Sequence, residues 1–372
     1  MRPPHIPAAV DFNQAPFLVI WEVTRACALK CMHCRADAIP CRDPGELTTE
    51  EGFRLIDQVK AMASPPPLFV LTGGDPMRRS DLEDLVRYAA GAGLTVALTP
   101  SGTAAATYAR LAELKKAGLS RVAVSLDGPT AETHDAFRRV VGSYAWTMRI
   151  IDAAIALDLP LQINSTISKM TLPYFAAMKQ RMTELPITLW ALFFLIQTGR
   201  GSGLEQINAE ECERILNELY DLSMTSSFGI KTTEAPQYQR VIWEREQERA
   251  RQGLPSQHVI RTRQLRATRS VNDGNGFVFV DHRGNICPSG FLPIARGNVR
   301  NANLADVYRT DEVFLRLRNE NALMGKCGRC KFRSICRGSR SRAFAATGAV
   351  MASDPLCVYE PGPVTEPALV LQ

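Results

Sequence analysis

The stretch Phe17-Leu-Val-Ile-Trp-Glu-Val-Thr24, followed by Arg25-Ala-Cys27-Ala-Leu-Lys-Cys31-Met-His-Cys34, joins a short apolar run to three closely spaced cysteines. The run has the composition of a buried strand, so the cysteines stand on the loop that leaves it. Three thiolates are one fewer than an iron–sulfur cluster takes from protein in the ordinary case, which leaves one iron open to a substrate or cofactor. A zinc knuckle or thiols packed in a core are the alternatives for the same residues.

The remaining chain is consistent with a large α/β protein. It has 372 residues, 45% of them hydrophobic, and a formal net charge of +6. That length supports a sizeable core with a smaller appended unit. The first residues carry Arg2, His5 and several prolines without a continuous apolar core, and no apolar run approaches a membrane span. A cytoplasmic protein without a membrane anchor is expected, and its ten cysteines then suit metal ligation better than disulfides.

Short runs rich in Val, Ile, Leu and Thr recur at Pro16–Thr24, Leu68–Thr72, Leu94–Thr99, Arg121–Leu126, Pro160–Ile167 and Ile187–Ile196. Amphipathic stretches lie between them at about Thr49–Met62, Asp81–Ala92, Ala104–Ala117, Tyr144–Leu157 and Leu172–Glu184, the first opened by Thr48 and Glu51 at capping-box spacing. This alternation predicts parallel strands with crossover helices, an open (β/α)6 TIM-like partial barrel whose chemistry sits on loops at the strands' C-terminal ends.

Several such loops carry suitable groups. Gly73-Gly74-Asp75-Pro76 ends the second strand, and paired glycines let backbone carbonyls approach a ligand's ammonium, although the same four residues also make an ordinary turn. Ser101 and Asn164 offer polar groups at the rim. Arg138 suits a planar carboxylate through its guanidinium fork, or a simple salt bridge.

Past the expected barrel, Arg240 to Arg269 is rich in arginine and glutamine, as a basic linker, a lid or a charged helix on a solvated face would be. Gly276 to Cys287 has the pattern of a hairpin turned at His282–Asn285 and is expected to open a second domain. Cys327, Cys330, Cys336 and Cys357 follow, four thiolates that on spacing alone suit a zinc ion or a cluster equally. Lys326, Arg329, Lys331, Arg333, Arg337, Arg340 and Arg342 surround them and suggest an anion-attracting surface. No stacking platform or helix-turn-helix accompanies that charge, so nucleic acid is not an expected partner.

The three-then-two cysteine spacing, Gly73-Gly74-Asp75-Pro76, Val124-Ser-Leu-Asp-Gly128 and His134-Asp-Ala-Phe-Arg138 together resemble the radical S-adenosylmethionine (SAM) superfamily. The resemblance implies a [4Fe-4S] cluster on Cys27, Cys31 and Cys34 whose open iron chelates SAM. It implies SAM contacts from Gly73, Gly74, Asp75 and Pro76 to the amino group, Ser125 and Asp127 to the ribose, Arg138 to the methionine carboxylate and His33 to adenine. Asp75 stands where the family usually has Glu. The C-terminal cysteines resemble the family's SPASM or Twitch-like domain, which implies one auxiliary [4Fe-4S] cluster on Cys327, Cys330, Cys336 and Cys357. Arg340 and Ala302 stand where two further cysteines would complete a second auxiliary cluster, so that cluster is expected to be missing, with Cys287 left over and Cys41 and Cys212 structural.

On this resemblance the chain divides into an N-terminal extension (residues 1–15), a radical SAM partial barrel (16–230), a basic linker or lid (231–275), a SPASM-like domain (276–360) and a tail (361–372). The runs Trp21–Cys27, Gln197–Gly201, Thr232–Tyr238 and Arg337–Phe344 look like the heme-biosynthesis branch, which includes the siroheme-dependent heme synthase and the heme d1 maturation enzyme. That branch implies oxidative decarboxylation of tetrapyrrole propionates, and an electron donor such as flavodoxin or ferredoxin. A peptide-modifying maturase and a non-catalytic iron–sulfur regulator are the competing expectations.

Overall fold

The computed structural model describes residues 11–255, 271–363 and 367–369. Its centre is one sheet. Strands β1 (Leu18–Glu22), β2 (Leu68–Thr72), β3 (Val96–Leu98), β4 (Leu119–Ser125), β5 (Leu161–Ile167), β6 (Leu189–Phe194) and β7 (Gly229–Thr233) follow one another across it, each parallel to its neighbour. On the other side of β1, β8 (Phe277–Val280) pairs with it in parallel, and β9 (Asn285–Cys287) and β10 (Gly297–Asn298) continue antiparallel. The order is therefore β10-β9-β8-β1-β2-β3-β4-β5-β6-β7.

Six strands were expected, and the structure adds a seventh parallel strand beyond them. The sequence of β7, Gly-Ile-Lys-Thr-Thr, lacks a continuous apolar run because an edge strand buried on one face only needs few apolar residues. The Gly276–Cys287 hairpin forms as expected, with Phe279 opposite Cys287, but its first strand extends the main sheet through β1.

Crossover helices α1 (Thr49–Ala61), α2 (Leu82–Gly91), α3 (Tyr108–Lys116), α5 (Ser143–Ala156), α6 (Phe175–Glu184) and α7 (Ala209–Thr225) pack on one face of the sheet. The predicted capping box holds: Glu51 N–H donates to Thr48 Oγ1 at 3.2 Å and Thr48 N–H donates to Glu51 Oε2 at 2.8 Å. Helix α4 (Ala131–Arg138) was not anticipated, because only two turns of mixed composition carry too little periodicity to see. Alternate residues such as Trp21, Leu71, Val124, Ile163 and Trp190 enter the helix-covered core. Their neighbours Glu22, Thr72, Ser125, Asn164 and Ala191 lie on the opposite face, where the site is found.

Within the expected linker, α8 (Tyr238–Arg251) packs on α7. Arg240 bridges Glu213 and Glu244, Arg245 pairs with Asp221, and Tyr220 Oη donates to Glu246. The expected charged helix therefore forms, with Tyr238, Arg240 and Val241 buried in its first turn and its remaining residues partly or fully exposed. Among the described residues no helix is long and apolar enough to cross a membrane.

Candidate functional site

The cysteine loop leaves the C-terminal end of β1 and is held by its backbone rather than by packing alone. Cys27 N–H donates to Ile39 O at 2.8 Å, Ile39 N–H to Arg25 O at 3.0 Å, and Cys34 N–H to Cys31 O at 3.3 Å. Arg200, from the Gln197–Gly201 run, clasps the loop from outside: its N–H donates to Cys34 O at 3.0 Å, its Nε to Cys31 O at 3.0 Å and an Nη to Ala38 O at 3.1 Å. Each sulfur has an internal donor. Leu29 N–H points at Cys27 Sγ (3.3 Å), Arg138 Nη1 at Cys31 Sγ (3.5 Å) and Ala38 N–H at Cys34 Sγ (3.5 Å). Burial pushes the Cys27 and Cys31 thiols above their usual range, a bias that these donors and a bound metal oppose.

Gly73 and Gly74 are required by that same loop. A Cβ on Gly73 would sit 2.4 Å from Thr24 O, and one on Gly74 2.5 Å from Arg25 O and 2.6 Å from Ala26 O. Gly74 N–H and Asp75 N–H donate to Thr24 O and Ala26 O, both at 2.7 Å, so the second strand's exit is stitched onto the first's. Asp75 is fully buried. It caps the turn at Pro76–Arg78 and accepts from Thr103 Oγ1 (2.7 Å) and Ser101 N–H (3.3 Å), while burial pushes its carboxyl above the usual carboxylate range. Ser101 donates to Gly74 O at 2.5 Å and receives the Cys27 thiol at 3.6 Å.

Asp127 and Arg138 form a buried pair across the ends of β4 and α4. The second Asp127 oxygen accepts Thr166 N–H at 2.7 Å. Burial works against ionisation of Asp127, but Arg138 outweighs it and holds the carboxyl down at about 2. His33 stacks flat on Phe137, centroids 4.4 Å apart, and burial lowers its pKa to about 3, so the ring is neutral. Its Nδ1 is buried without a partner among the described residues. Ser125 and Asn164 are opposite one another across β4 and β5, and Asn164 Oδ1 accepts Gln162 Nε2 at 2.7 Å.

Sequence reasoning missed the group beside this loop. Glu22, the last residue of β1, is buried between Arg35 (2.9 Å) and His282 Nδ1 (2.8 Å), and Asp43 lies 3.4 Å from the other His282 nitrogen and 2.7 Å from Arg283. Burial works against ionisation of Glu22, but Arg35 and His282 outweigh it and lower its pKa; burial likewise works against protonation of His282, but Glu22 and Asp281 outweigh it and raise its pKa. Arg35 also covers the Phe279 ring at 4.5 Å. No local spacing could have revealed this, since Glu22 and His282 are far apart in the chain.

Cys327, Cys330, Cys336 and Cys357 line one cavity together with Phe332 and Tyr359. No three His, Cys, Asp or Glu side chains converge as tightly as a single metal ion requires among the described residues. The basic run around these cysteines is more internal than expected. Arg340 and Arg342 are buried; Arg340 donates to the carbonyls of Val350 (3.0 Å) and Ala352 (2.8 Å), and Arg342 pairs with Asp354 at 3.5 Å. Arg342 also donates to Glu234 O at 2.6 Å and to Phe194 O at 3.4 Å, tying this region to the end of β6. Cys287 lies outside the cavity, buried, its thiol pushed up to about 12 by burial. Cys212 is in the core and Cys41 is exposed, which removes a core-packing role for Cys41. Arg263 and Arg266, the arginines of the basic Arg240–Arg269 run that would recognise propionates if that run binds the substrate, lie outside the described residues.

Residues 21–173 match the Radical SAM superfamily. The chain is 39% identical over 353 residues to the AdoMet-dependent heme synthase of Oleidesulfovibrio alaskensis, covering 94% of this chain and 89% of that protein. It is 36% identical to the AdoMet-dependent heme synthase of Methanosarcina barkeri, covering 95% and 99% respectively. Among solved structures, Streptococcus suis SuiB bound to S-adenosylmethionine superposes with a TM-score of 0.66 at 13% identity, over 93% of this chain and 78% of that one, a likeness of fold. The three sulfurs at the end of β1, on a parallel sheet with this kinship, lead to one conclusion: the chain belongs to the radical SAM superfamily of enzymes, in the branch that contains the AdoMet-dependent heme synthases.

Proposed function

We propose that the protein is a radical SAM oxidoreductase that modifies a tetrapyrrole, converting propionate side chains to vinyl groups as a heme synthase does. The observation that carries the reading is the set of three cysteine sulfurs, each with its own internal donor, at the mouth of a sheet whose sequence is akin to heme synthases over nearly its whole length. That donor set suits a thiolate-bound cluster, because hydrogen bonds to sulfur stabilise the ligated, charged form. Cys27, Cys31 and Cys34 would hold the [4Fe-4S] cluster, and the unpartnered Nδ1 of His33 awaits a donor such as the adenine amino group. Ser125, Asn164, Ser101 and the Gly73–Pro76 turn line the place for the rest of SAM.

When bound, the cluster and SAM supply an electron and a 5′-deoxyadenosyl radical that abstracts hydrogen. The protein's own part is to exclude water and hold the side chain in place. A propionate that loses a hydrogen atom, carbon dioxide and one electron becomes a vinyl group, so the reaction needs an electron acceptor as well as a donor such as flavodoxin or ferredoxin. The cavity of Cys327, Cys330, Cys336 and Cys357 is the place for an auxiliary [4Fe-4S] cluster in a SPASM-like domain, since four sulfurs line it while no three side chains converge tightly enough for one zinc ion among the described residues. Arg340 and Ala302, standing where the family's fuller pattern has cysteines, favour a single auxiliary cluster. A cytoplasmic setting would keep both cysteine sets reduced.

The test is anaerobic reconstitution with iron and sulfide, followed by dithionite, SAM and iron-coproporphyrin. The expected result is 5′-deoxyadenosine together with tetrapyrrole mass losses equal to formic acid for each converted propionate. No 5′-deoxyadenosine above a protein-free control would refute the chemistry. Abundant 5′-deoxyadenosine with an unchanged tetrapyrrole would reject decarboxylation and turn attention to a peptide.

A further inference from the structure

We propose that Lys231 receives a carboxylate of the substrate and so helps determine which tetrapyrrole the site accepts; this rests on the function proposed above. Lys231 is the middle residue of β7, where Ile230 packs against the helix-covered core. Alternation along a strand therefore turns Lys231 to the opposite face, the one bearing the candidate SAM contacts. The strand registers set it on one rung with them: Ser125 is opposite Asn164, Asn164 opposite Ala191, and Ala191 opposite Lys231. Adjacent strands lie about 4.8 Å apart, so three steps place the lysine backbone on the order of 14 Å from Ser125. That separation leaves room for a second molecule beside SAM.

Among the described residues, several other cations around the site already have partners. Arg35 is paired with Glu22, Arg138 with Asp127 and Arg342 with Asp354, and Arg200 is engaged by two carbonyls. Lys231 has no anionic or hydrogen-bonding partner among the described residues. It is exposed to solvent, yet surrounded closely enough that desolvation lowers its pKa, as for an ammonium standing in a recess. A recessed cation without a counter-ion favours an incoming anion. Its surroundings suit the rest of a tetrapyrrole: one inward position further along β6 is Phe193, whose ring lies 6.4 Å from that of Phe291. A flat apolar macrocycle can rest on such rings while a carboxylate reaches the ammonium. Between Asn164 and Lys231 the rung carries only the small side chain of Ala191.

The experiment uses the full reconstituted chain with SAM and compares iron-coproporphyrin with its neutral tetramethyl ester by anaerobic spectral titration. Wild type is expected to prefer the free acid, the more so at low salt. Lys231→Ala should weaken free-acid binding by about tenfold or more and abolish the preference, as expected for losing a charge-assisted bond. Lys231→Arg should retain the preference, which separates lost charge from lost folding. A preference that persists in Lys231→Ala overturns the proposal and leaves the proposed function standing. Weakened SAM binding with the porphyrin preference intact also overturns it and assigns the ammonium to the cofactor's carboxylate. If wild type binds neither porphyrin, the tetrapyrrole reading itself falls, and this proposal with it.

Discussion

The two cysteine groups of this protein are built on opposite plans. Cys27, Cys31 and Cys34 belong to one short loop, held by backbone hydrogen bonds and by Arg200 at the end of a central strand. Cys327, Cys330, Cys336 and Cys357 are gathered from short helical turns and a distant segment, around a cavity also lined by Arg240, Arg333 and Arg337, with the buried Arg340 donating to Cys327 Sγ at 3.8 Å. The first plan supplies three sulfurs, one short of a complete set of cluster ligands. The second supplies four, enough to hold a cluster without an outside ligand. A ligand that must be exchanged at every turnover suits the first arrangement, and a group that only stores or passes an electron suits the second.

The sharpest way to break that contrast is to remove the sulfurs. Cys27→Ala, Cys31→Ala or Cys34→Ala should eliminate SAM cleavage and about four of about eight irons, at one four-iron cluster per set. Cys327→Ala or Cys336→Ala should lose the other four yet still produce 5′-deoxyadenosine, with product formation abolished. Cleavage surviving in the first group would refute the plan; an iron count near about twelve would reveal a third cluster, and one zinc with four irons would make the C-terminal site structural.

The buried Arg342–Asp354 pair gives the next largest effect. Arg342→Met leaves Asp354 buried beside a neutral side chain, a change that costs about 3–5 kcal/mol when one partner of such a pair is removed. The denaturation midpoint should fall accordingly, and Arg342→Met combined with Asp354→Asn should recover part of the loss. No recovery would mean that the carbonyl contacts of Arg342 to Glu234 and Phe194, rather than the ion pair, hold the two regions together.

Gly74→Ala should act on the first site alone. Its Cβ would meet Arg25 O at 2.5 Å, so the cysteine loop must shift, at a cost of about 1–3 kcal/mol typical of overpacking. The variant should retain less iron after reconstitution. Gly91→Ala, where nothing lies within 4 Å of the added atom, is the control and should be neutral or slightly stabilising.

The smallest effect concerns pH. The folded-state pKa of His282 is raised by Glu22, so the stability from its protonation is fully present below its unfolded value of about 6.5 and is lost as pH rises through the folded value. Glu22 is lowered, so its contribution is present above about 4.3 and is lost as pH falls through its folded value. The difference in thermal midpoint between wild type and His282→Gln should therefore be greatest between those limits and shrink on either side. A pH-independent difference would make the histidine a packing residue only.

Much of the site was legible from local pattern. The cysteine spacing, the glycine pair and Asp127 each lie at the end of a strand that its own composition announces, and the strand and helix alternation places those ends together. Other features misled. The basic run near the C-terminal cysteines suggested an outward, anion-attracting surface, yet Arg340 and Arg342 are buried and bound to carbonyls and Asp354. Charge density along a chain does not say which way a side chain turns. The strand carrying Lys231 escaped notice because a polar edge strand lacks the apolar run by which its neighbours were found.

The sequence by itself determined the family chemistry, because three thiols on one loop are a local fact that folding cannot rearrange. It also determined the parallel order of strands and helices, since alternating hydrophobic periods leave few other ways to bury a core. Only the tertiary structure decided why Gly73 and Gly74 are glycines, namely the carbonyls of Thr24, Arg25 and Ala26 packed against them. It alone joined Glu22 to His282, turned Arg342 inward and set Lys231 on the rung of Ser125 and Asn164. Those are contacts between distant segments, and their partners are chosen by strand register and packing, which no short window of sequence contains.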